Sequence, residues 1–122
     1  MGHVIKKEWA TEAGLKAAVL YVNDSHHCGY VEVPEGHKWF GDSYDKHYDI
    51  DVHGGLTYAD TVYWKEGDNY GWAFGFDAAH LGDETLYSRD PGDTFKDVDY
   101  MAKECESLAR QIKEEKSDDA NR

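Results

Sequence analysis

The chain has 122 residues and a formal net charge of −12; hydrophobic residues make up 40% of it and aromatic residues 14%. This length is typical of one domain with one core, and the aromatic content excludes a largely disordered chain. Two cysteines are too few for a disulfide scaffold, and no apolar run is long enough to cross a membrane. The composition predicts a cytoplasmic protein with a single globular domain over residues 1–115 and a frayed polar tail over residues 116–122.

Acidic residues are concentrated in the middle of the chain. Residues 42–100 hold 4 basic and 14 acidic groups, a net charge of −10, whereas residues 1–41 and 101–122 are each net −1. An acidic surface repels phosphate groups, so direct binding to nucleic acid or to an anionic membrane is not expected. The charge favours either solubility alone or a partner protein with a basic surface.

The N-terminal third is predicted to form a β-hairpin after an irregular lead-in. Residues 1–13 mix charged side chains with one aromatic and form the lead-in. The hairpin spans about residues 14–33, because a turn cluster at residues 23–25 separates a run of mixed helix and strand propensity from a run that alternates as a strand does. A helix over residues 11–22 is the alternative.

Beyond Pro34 the chain is predicted to alternate loops and strands. Clusters of Gly, Pro and polar residues mark the loops, and alternating or aromatic-rich runs mark the strands. Gly71 and Gly75 predict that another backbone approaches closely. The predicted elements are a long loop over residues 34–48, a short strand over 50–52, a strand over 56–64 interrupted near 59–60, a turn over 65–69 and a central strand over 70–76.

The clearest element is an amphipathic helix that follows an irregular segment at residues 77–93. Thr94 and Asp97 resemble a capping box, which places the helix at about residues 95–115. Cys105 lies on its apolar stripe and is predicted to be a core thiol rather than a nucleophile. The fold class is therefore α+β, with an antiparallel sheet of about four to five strands packed against this one C-terminal helix. The stripe consists of Val98, Met101, Cys105, Leu108 and Ile112.

Histidine, aspartate and glycine residues near the ends of two predicted strands form the candidate site. His and Asp can bind a divalent metal or act as acid and base, and glycine lets a ligand approach the backbone. No cofactor is expected, and a bound metal would use the two histidines and two aspartates. A structural role in turns and caps is the alternative. The candidate residues are His53, Gly54, Gly55, Asp77, His80 and Asp83.

Aromatic residues and one cysteine are further candidates. Trp39 and Trp72 are included in the predicted ligand-binding site because nucleobases stack on exposed aromatic rings, and Tyr44 and Trp64 could serve in the same way. Cys28 is the one candidate thiol outside the helix. It stands at a strand start beside two histidines, which slightly favours its reactivity.

Three blocks of the sequence resemble a family of small proteins encoded by tailed bacteriophages and prophages. The blocks are residues 28–37 (CGYVEVPEGH), 51–58 (DVHGGLTY) and 75–83 (GFDAAHLGD), and the likeness covers roughly residues 9–112. The resemblance implies a phage origin and action in the cytoplasm of an infected bacterium, and it brings no activity with it. The family pattern has Cys at Ala78 or Ala79, so this chain departs from it, which argues against a catalytic thiol there.

These observations favour a non-enzymatic phage accessory protein that counteracts a bacterial defence. It would bind a host protein or sequester a small nucleotide-like ligand, and the few cations in residues 42–100 favour the protein partner. A metal-dependent hydrolase that uses the His and Asp residues of the candidate site is one alternative. A virion or assembly protein is another. The many aromatics are compatible with a homo-oligomer.

Overall fold

Five antiparallel strands and one long helix form the fold, as described in a computed structural model for residues 2–65 and 67–120, with side chains as far as residue 115. The predicted α+β class, with an antiparallel sheet and one C-terminal helix, is confirmed. The elements are β1 (His3–Ala10), β2 (Lys16–Val22), β3 (His26–Glu32), a short 3-10 helix (Tyr44–His47), β4 (Tyr58–Trp64), β5 (Asn69–Asp77) and α1 (Val98–Ala120).

The strands lie in the order β1-β2-β3-β5-β4, and each pairs antiparallel with its neighbours. The hairpin predicted at residues 14–33 is therefore confirmed, and the alternative helix over residues 11–22 is wrong. Asn23 and Asp24 in its turn have φ of 53° and 55°. Asn and Asp tolerate this left-handed conformation better than most residues, which is why the chain can reverse here.

Helix α1 covers one face of the sheet. Four residues of its apolar stripe, including the predicted core thiol Cys105, have no exposed surface. They pack against side chains of β2, β3 and β5, among them Val19, Val31 and Phe74. Complete burial of one such side chain stabilises the fold by about 1.5–3 kcal/mol, so this interface supplies most of the core. None of the helices in the described part of the chain is both long and apolar enough to span a membrane.

The helix begins three residues later than predicted. Asp97 is its N-cap, because its Oδ1 accepts a hydrogen bond from the Tyr100 amide at 2.9 Å and its carbonyl accepts one from the Met101 amide at 3.0 Å. Thr94 does not take part in the cap and contacts Lys96 instead. The helix continues past the predicted end at 115 to Ala120, and the last two residues of the predicted tail, 121 and 122, lie outside the described residues.

Two predicted irregular or extended segments differ from the structure. The lead-in is wrong because residues 3–10 form the edge strand β1; a bulge between Ile5 and Lys7 breaks the alternation that would have revealed it. The short strand over residues 50–52 is also wrong. Ile50 and Val52 are both buried with exposed Asp51 between them, as the alternation predicted, but they lie in a turn-rich connection and not in a strand. Strand β4 is continuous, without the interruption predicted near residues 59–60.

The prediction that another backbone approaches closely is confirmed at Gly75 but not at Gly71. A side-chain carbon placed at Gly75 would lie 2.6 Å from the ring of Tyr30 and 3.1 Å from the carbonyl oxygen of Gly29 on the neighbouring strand. At Gly71 the nearest atoms belong instead to the indole of Trp64, at 3.4 Å. Glycine in β5 therefore lets aromatic side chains lie directly over the backbone of the sheet.

Candidate functional site

Asp83 is the centre of the predicted cluster. Only 1% of it is exposed, and it lies in the loop that leaves β5. The loop turns back on itself, because the Asp83 amide donates to the carbonyl of His80 at 2.9 Å and the His80 amide donates to Asp83 Oδ2 at 3.0 Å. This local geometry carries the carboxylate inwards, away from water, where it needs charged or donor partners.

Two side chains from other segments meet the buried carboxylate. Lys96 Nζ forms an ion pair with Asp83 Oδ1 at 2.9 Å, and His53 Nε2 lies 2.8 Å from Oδ2. Burial alone would raise the pKa of Asp83, but the hydrogen bonds from His53, the His80 amide and Lys96 outweigh it and lower the pKa. The carboxylate therefore stays charged, and we call Asp83, His53, Lys96 and Tyr100 the Asp83 network.

His53 joins the network to the first turns of α1. An ionised carboxylate only accepts hydrogen bonds, so Nε2 of His53 carries a hydrogen and donates a hydrogen bond to Asp83. Its Nδ1 forms a hydrogen bond of 2.8 Å with the hydroxyl of Tyr100, and its backbone amide donates to Glu104 Oε1 at 2.7 Å. Both ring nitrogens of His53 are thereby occupied, and three segments distant in sequence are held together.

Asp77 and His80 lie beside the network. Asp77 Oδ2 accepts a hydrogen bond from the hydroxyl of Thr57 at 2.9 Å, and its Oδ1 accepts one from the Ala79 amide at 3.1 Å. His80 Nε2 is 3.1 Å from Asp77 Oδ1, and its ring centroid is 6.0 Å from that of His53. The structure thus brings together the four His and Asp residues that the sequence singled out.

Steric and backbone constraints explain why residues 54 and 55 are glycines. Both residues have positive φ, 70° and 79°, a conformation that favours glycine. A side-chain carbon on Gly54 would lie 2.2 Å from the ring of His80, whereas one on Gly55 would meet no atom within 4 Å. Gly54 therefore makes room for His80, and no ligand needs to be invoked to explain it.

Most polar atoms of the cluster have protein partners, although Nε2 of His80 and Oδ1 of Asp83 are paired only as ion-pair contacts, with Asp77 and Lys96. The ring nitrogens of His53 and the carboxylate oxygens of Asp77 and Asp83 already have protein partners. Within residues 2–65 and 67–120, no group of three or more His, Cys, Asp or Glu side chains is arranged to hold a metal ion. The contacts that are present hold two loops against α1, and we call this arrangement a clamp.

Trp39 and Trp72 lie away from this cluster. Trp39 packs between His47, with ring centroids 4.4 Å apart, and the main core; Trp72 Nε1 donates to the carbonyl of Asp42 at 3.1 Å. The adjoining His37 contacts the carbonyl of Ile112, twelve residues along α1 from Tyr100. Twelve helical residues span about 18 Å, so the two tryptophans and the Asp83 network occupy different ends of the helix.

Cys28 does not have the environment of a reactive thiol. It is buried, and burial together with the nearby Asp77 carboxylate raises the pKa of its thiol from 9.0 to about 11. The two preceding histidines do not offset this, since His27 Nδ1 is turned to the carbonyl of Lys96 at 2.8 Å and His26 Nδ1 to the hydroxyl of Ser25 at 3.0 Å. The expectation that its neighbours favour reactivity is therefore wrong.

Four partners of the cluster were not singled out from the sequence: Thr57, Lys96, Tyr100 and Glu104. Lys96, Tyr100 and Glu104 follow one another at intervals of four residues. That interval places helical side chains on one face, and Tyr100 and Glu104 use it to reach His53 from α1. Helical spacing could have indicated these two, but the fold alone shows which segment they face.

A groove lies on the sheet face opposite α1, which we call the open face. Side chains of this face form a second apolar cluster, separate from the core beneath α1. The groove has a volume of about 380 Å³ and runs between the two edge strands, β1 and β4, over β2 and β3. Among the residues that line it are Ile5, Leu20, Tyr30, Tyr58, Val62 and Trp64.

Trp64 is the least exposed aromatic residue of the groove, at 2%. Its indole N–H has no hydrogen-bond acceptor among the described residues. A buried donor without an acceptor costs about 1–3 kcal/mol, so native structures rarely retain one without a reason. The other two such atoms, Nε2 of His80 and Oδ1 of Asp83, each lie within 3.1 Å of a charged group, whereas the indole N–H of Trp64 has no such neighbour among the described contacts.

Comparisons of this chain with protein-family models, with curated proteins and with solved structures found no match.

Proposed function

We propose that this chain is a phage-encoded accessory protein that acts by binding, and that it holds a small nucleotide-like ligand in the open-face groove. The groove carries the proposal: it is preformed, its volume of about 380 Å³ falls in the range of small-ligand sites, and its lining is apolar and aromatic. The three blocks that resemble phage proteins support the origin, and a role in counteracting a bacterial defence goes with it.

The contacts of the Asp83 network favour binding over hydrolysis. A general base needs a free lone pair near the substrate, and a nucleophilic thiol needs a lowered pKa. The ring nitrogens of His53 are both engaged, and the pKa of Cys28 is raised to about 11. Asp77, which lies beside the network and is the last residue of β5, pairs with Cys28 of β3, two residues before Tyr30 in the groove.

The test blocks the groove and leaves the rest of the surface unchanged. Val62→Arg places a long cation in the groove, and Thr61→Arg places the same group on the neighbouring exposed residue of β4, which does not line it. Phage plating on bacteria that carry a defence system is measured with each variant expressed. We expect Val62→Arg to lose protection of the phage and Thr61→Arg to retain it. Equal protection by the two folded variants would refute the proposal.

A further inference from the structure

We infer that the loop between β5 and α1 is a docking surface for a partner protein that has a basic surface. This loop spans residues 78–97, and we call it the β5–α1 loop. It lies outside the open-face groove, because none of its residues is among those that line the groove. Three features of the loop support this role: large apolar side chains in water, a shape that is fixed without a partner, and a surplus of acidic groups.

Four large apolar side chains of the β5–α1 loop are exposed to water. Leu81 is fully exposed and Tyr87 is 89% exposed, while Leu86 and Phe95 each have 43% of their surface in water. Single exposed apolar side chains are common on proteins, but a group of them on one short segment is typical of an interaction site. Tyrosine in particular is enriched among the residues that contribute most of the binding energy of protein interfaces.

The shape of the loop is fixed by its own polar groups. Its two arms are joined, since the Thr94 amide donates to the carbonyl of Gly82 at 3.0 Å. At the tip, the hydroxyl of the buried Thr85 accepts hydrogen bonds from the amides of Tyr87 and Ser88 at 3.2 and 3.0 Å. A partner therefore binds a loop that is already ordered, which removes one of the costs of association.

The loop is also attached to the turn between β2 and β3. The Leu86 amide donates to Ser25 Oγ at 3.1 Å, and the ring of Phe95 lies against that of His27, with centroids 5.4 Å apart. Polar groups thus hold the loop in place while its apolar side chains face water. Folding alone favours the opposite arrangement, because apolar surface is more stable when it is buried.

The charge of the loop indicates the kind of partner. The loop holds five acidic and two basic residues. One of the two basic residues, Lys96, is already paired with the buried Asp83 at 2.9 Å, whereas Asp90 and Asp97 are exposed. This surplus of negative charge is complementary to Lys and Arg side chains on a partner.

The same surplus argues against the other occupants of an exposed apolar surface. A second copy of the chain would bring a further net charge of −12, and like charges that face each other destabilise a contact. Nucleic acids and anionic membranes are repelled by acidic groups. A protein with an apolar pocket that is flanked by Lys and Arg matches both the apolar and the charged side chains of the loop.

Selection of peptides against the full chain tests this assignment. Short random peptides are displayed on yeast, with acidic and basic residues equally represented in the library. We expect the selected peptides to carry a net positive charge together with apolar residues. The double variant Leu81→Ser/Tyr87→Ser should bind them at least about tenfold more weakly, because it lacks two apolar anchors. Tyr48→Ser is the matched control, since Tyr48 is also 89% exposed but lies outside the loop, and it should bind them as the unchanged protein does.

The salt dependence of binding tests the charged part of the surface. Raising the salt concentration from about 0.1 to about 1 M shortens the screening length from about 10 to about 3 Å and should weaken peptide binding at least about threefold. Binding that does not depend on salt, selected peptides without a net positive charge, full affinity in the double variant or failure to select any peptide would overturn the assignment.

Two further measurements separate the remaining explanations. Sedimentation velocity of the unchanged chain should show no dimer that depends on the loop. A dimer that is lost in the double variant would overturn the assignment, because the loop would then bind a second copy. Thermal unfolding of the double variant should match that of the unchanged protein, since both side chains are exposed. If the double variant unfolds earlier, Leu81→Ser and Tyr87→Ser are compared singly, and each must weaken peptide binding.

Discussion

The Asp83 network and the open-face groove differ in how their buried polar groups are paired. In the network, a carboxylate that is 1% exposed meets an ammonium group, an imidazole and a backbone amide. In the groove, an indole N–H that is equally shielded from water meets no acceptor among the described residues. Pairing such groups stabilises a protein, so the network fixes structure, whereas the unpaired N–H of Trp64 costs stability beneath the groove.

The comparison also separates the most reactive residue types from the groove. Histidine and aspartate are common catalytic residues, but in this chain most of their polar atoms form hydrogen bonds or ion pairs with one another and with α1. The groove has mainly aliphatic and tyrosine side chains, which look unremarkable in the sequence. None of its described lining residues is Lys or Arg, and the indole N–H of Trp64 has no acceptor among the described residues.

Removal of the Asp83 carboxylate is the strongest test of the satisfied side of the comparison. Asp83→Ala leaves the charge of Lys96 and the donor of His53 without their partner, so we expect the free energy of unfolding to fall by about 3–5 kcal/mol. Urea unfolding measures it. Asp90→Ala, at an exposed position of the same loop region, is the control and should change stability by less than about 0.5 kcal/mol. A loss below about 1 kcal/mol for Asp83→Ala would show that the network is not a clamp.

The reactivity of the Cys28 thiol tests whether solvent reaches this part of the sheet. A pKa moved from 9.0 to about 11 means about a hundredfold less thiolate at neutral pH, so alkylation by iodoacetamide should be slower than that of a free thiol by about that factor. The rate should keep rising up to about pH 11. Cys105, which has no exposed surface and a pKa raised to about 12, should react later still. Rapid labelling of Cys28 at pH 7 would mean that the open face admits water there.

The two neighbouring glycines provide the finest test of the clamp. Gly54→Ala and Gly55→Ala both introduce a side chain at positive φ, which costs about 1–2 kcal/mol each. Gly54→Ala must also displace the ring of His80, so we expect it to cost about 1 kcal/mol more than Gly55→Ala. Thermal unfolding compares the two, and the imidazole resonances of His80 should move in the first variant alone. Equal stabilities and unchanged resonances would mean that His80 is not held against this turn.

Local patterns predicted the parts of the fold that depend on one segment at a time. The apolar stripe of α1 and the alternation in β3 each arise from a periodicity that the chain shows directly. Strand β1 was missed because an edge strand with a bulge at Ile5 and Lys7 buries few side chains and carries charges that resemble a loop. The helix start was misplaced because Thr94 and Asp97 are both good N-cap residues, and only the structure shows that Asp97 accepts the capping hydrogen bond.

The candidate site was predicted as a set of residues but not as a chemistry. The sequence singled out His53, Asp77, His80 and Asp83, but whether their segments meet depends on a strand register that it does not give; the structure brings them together. Their partners on α1 depend on how the helix crosses the sheet, which no spacing reveals. The groove could not be predicted either. It depends on the two edge strands, β1 and β4, and the sequence analysis missed β1.

The strand order has a consequence for how the chain could be taken apart. The meander β1-β2-β3 and the hairpin β4-β5 are each built from neighbouring segments, and the seam between β3 and β5 joins them over five residue pairs. The connection between these two units passes through exposed residues such as Gly41, whose φ is 82°. A cut there would separate the protein into two fragments with complementary edges. Such fragments would be expected to find each other again in solution, which makes this small domain a natural starting point for a split reporter.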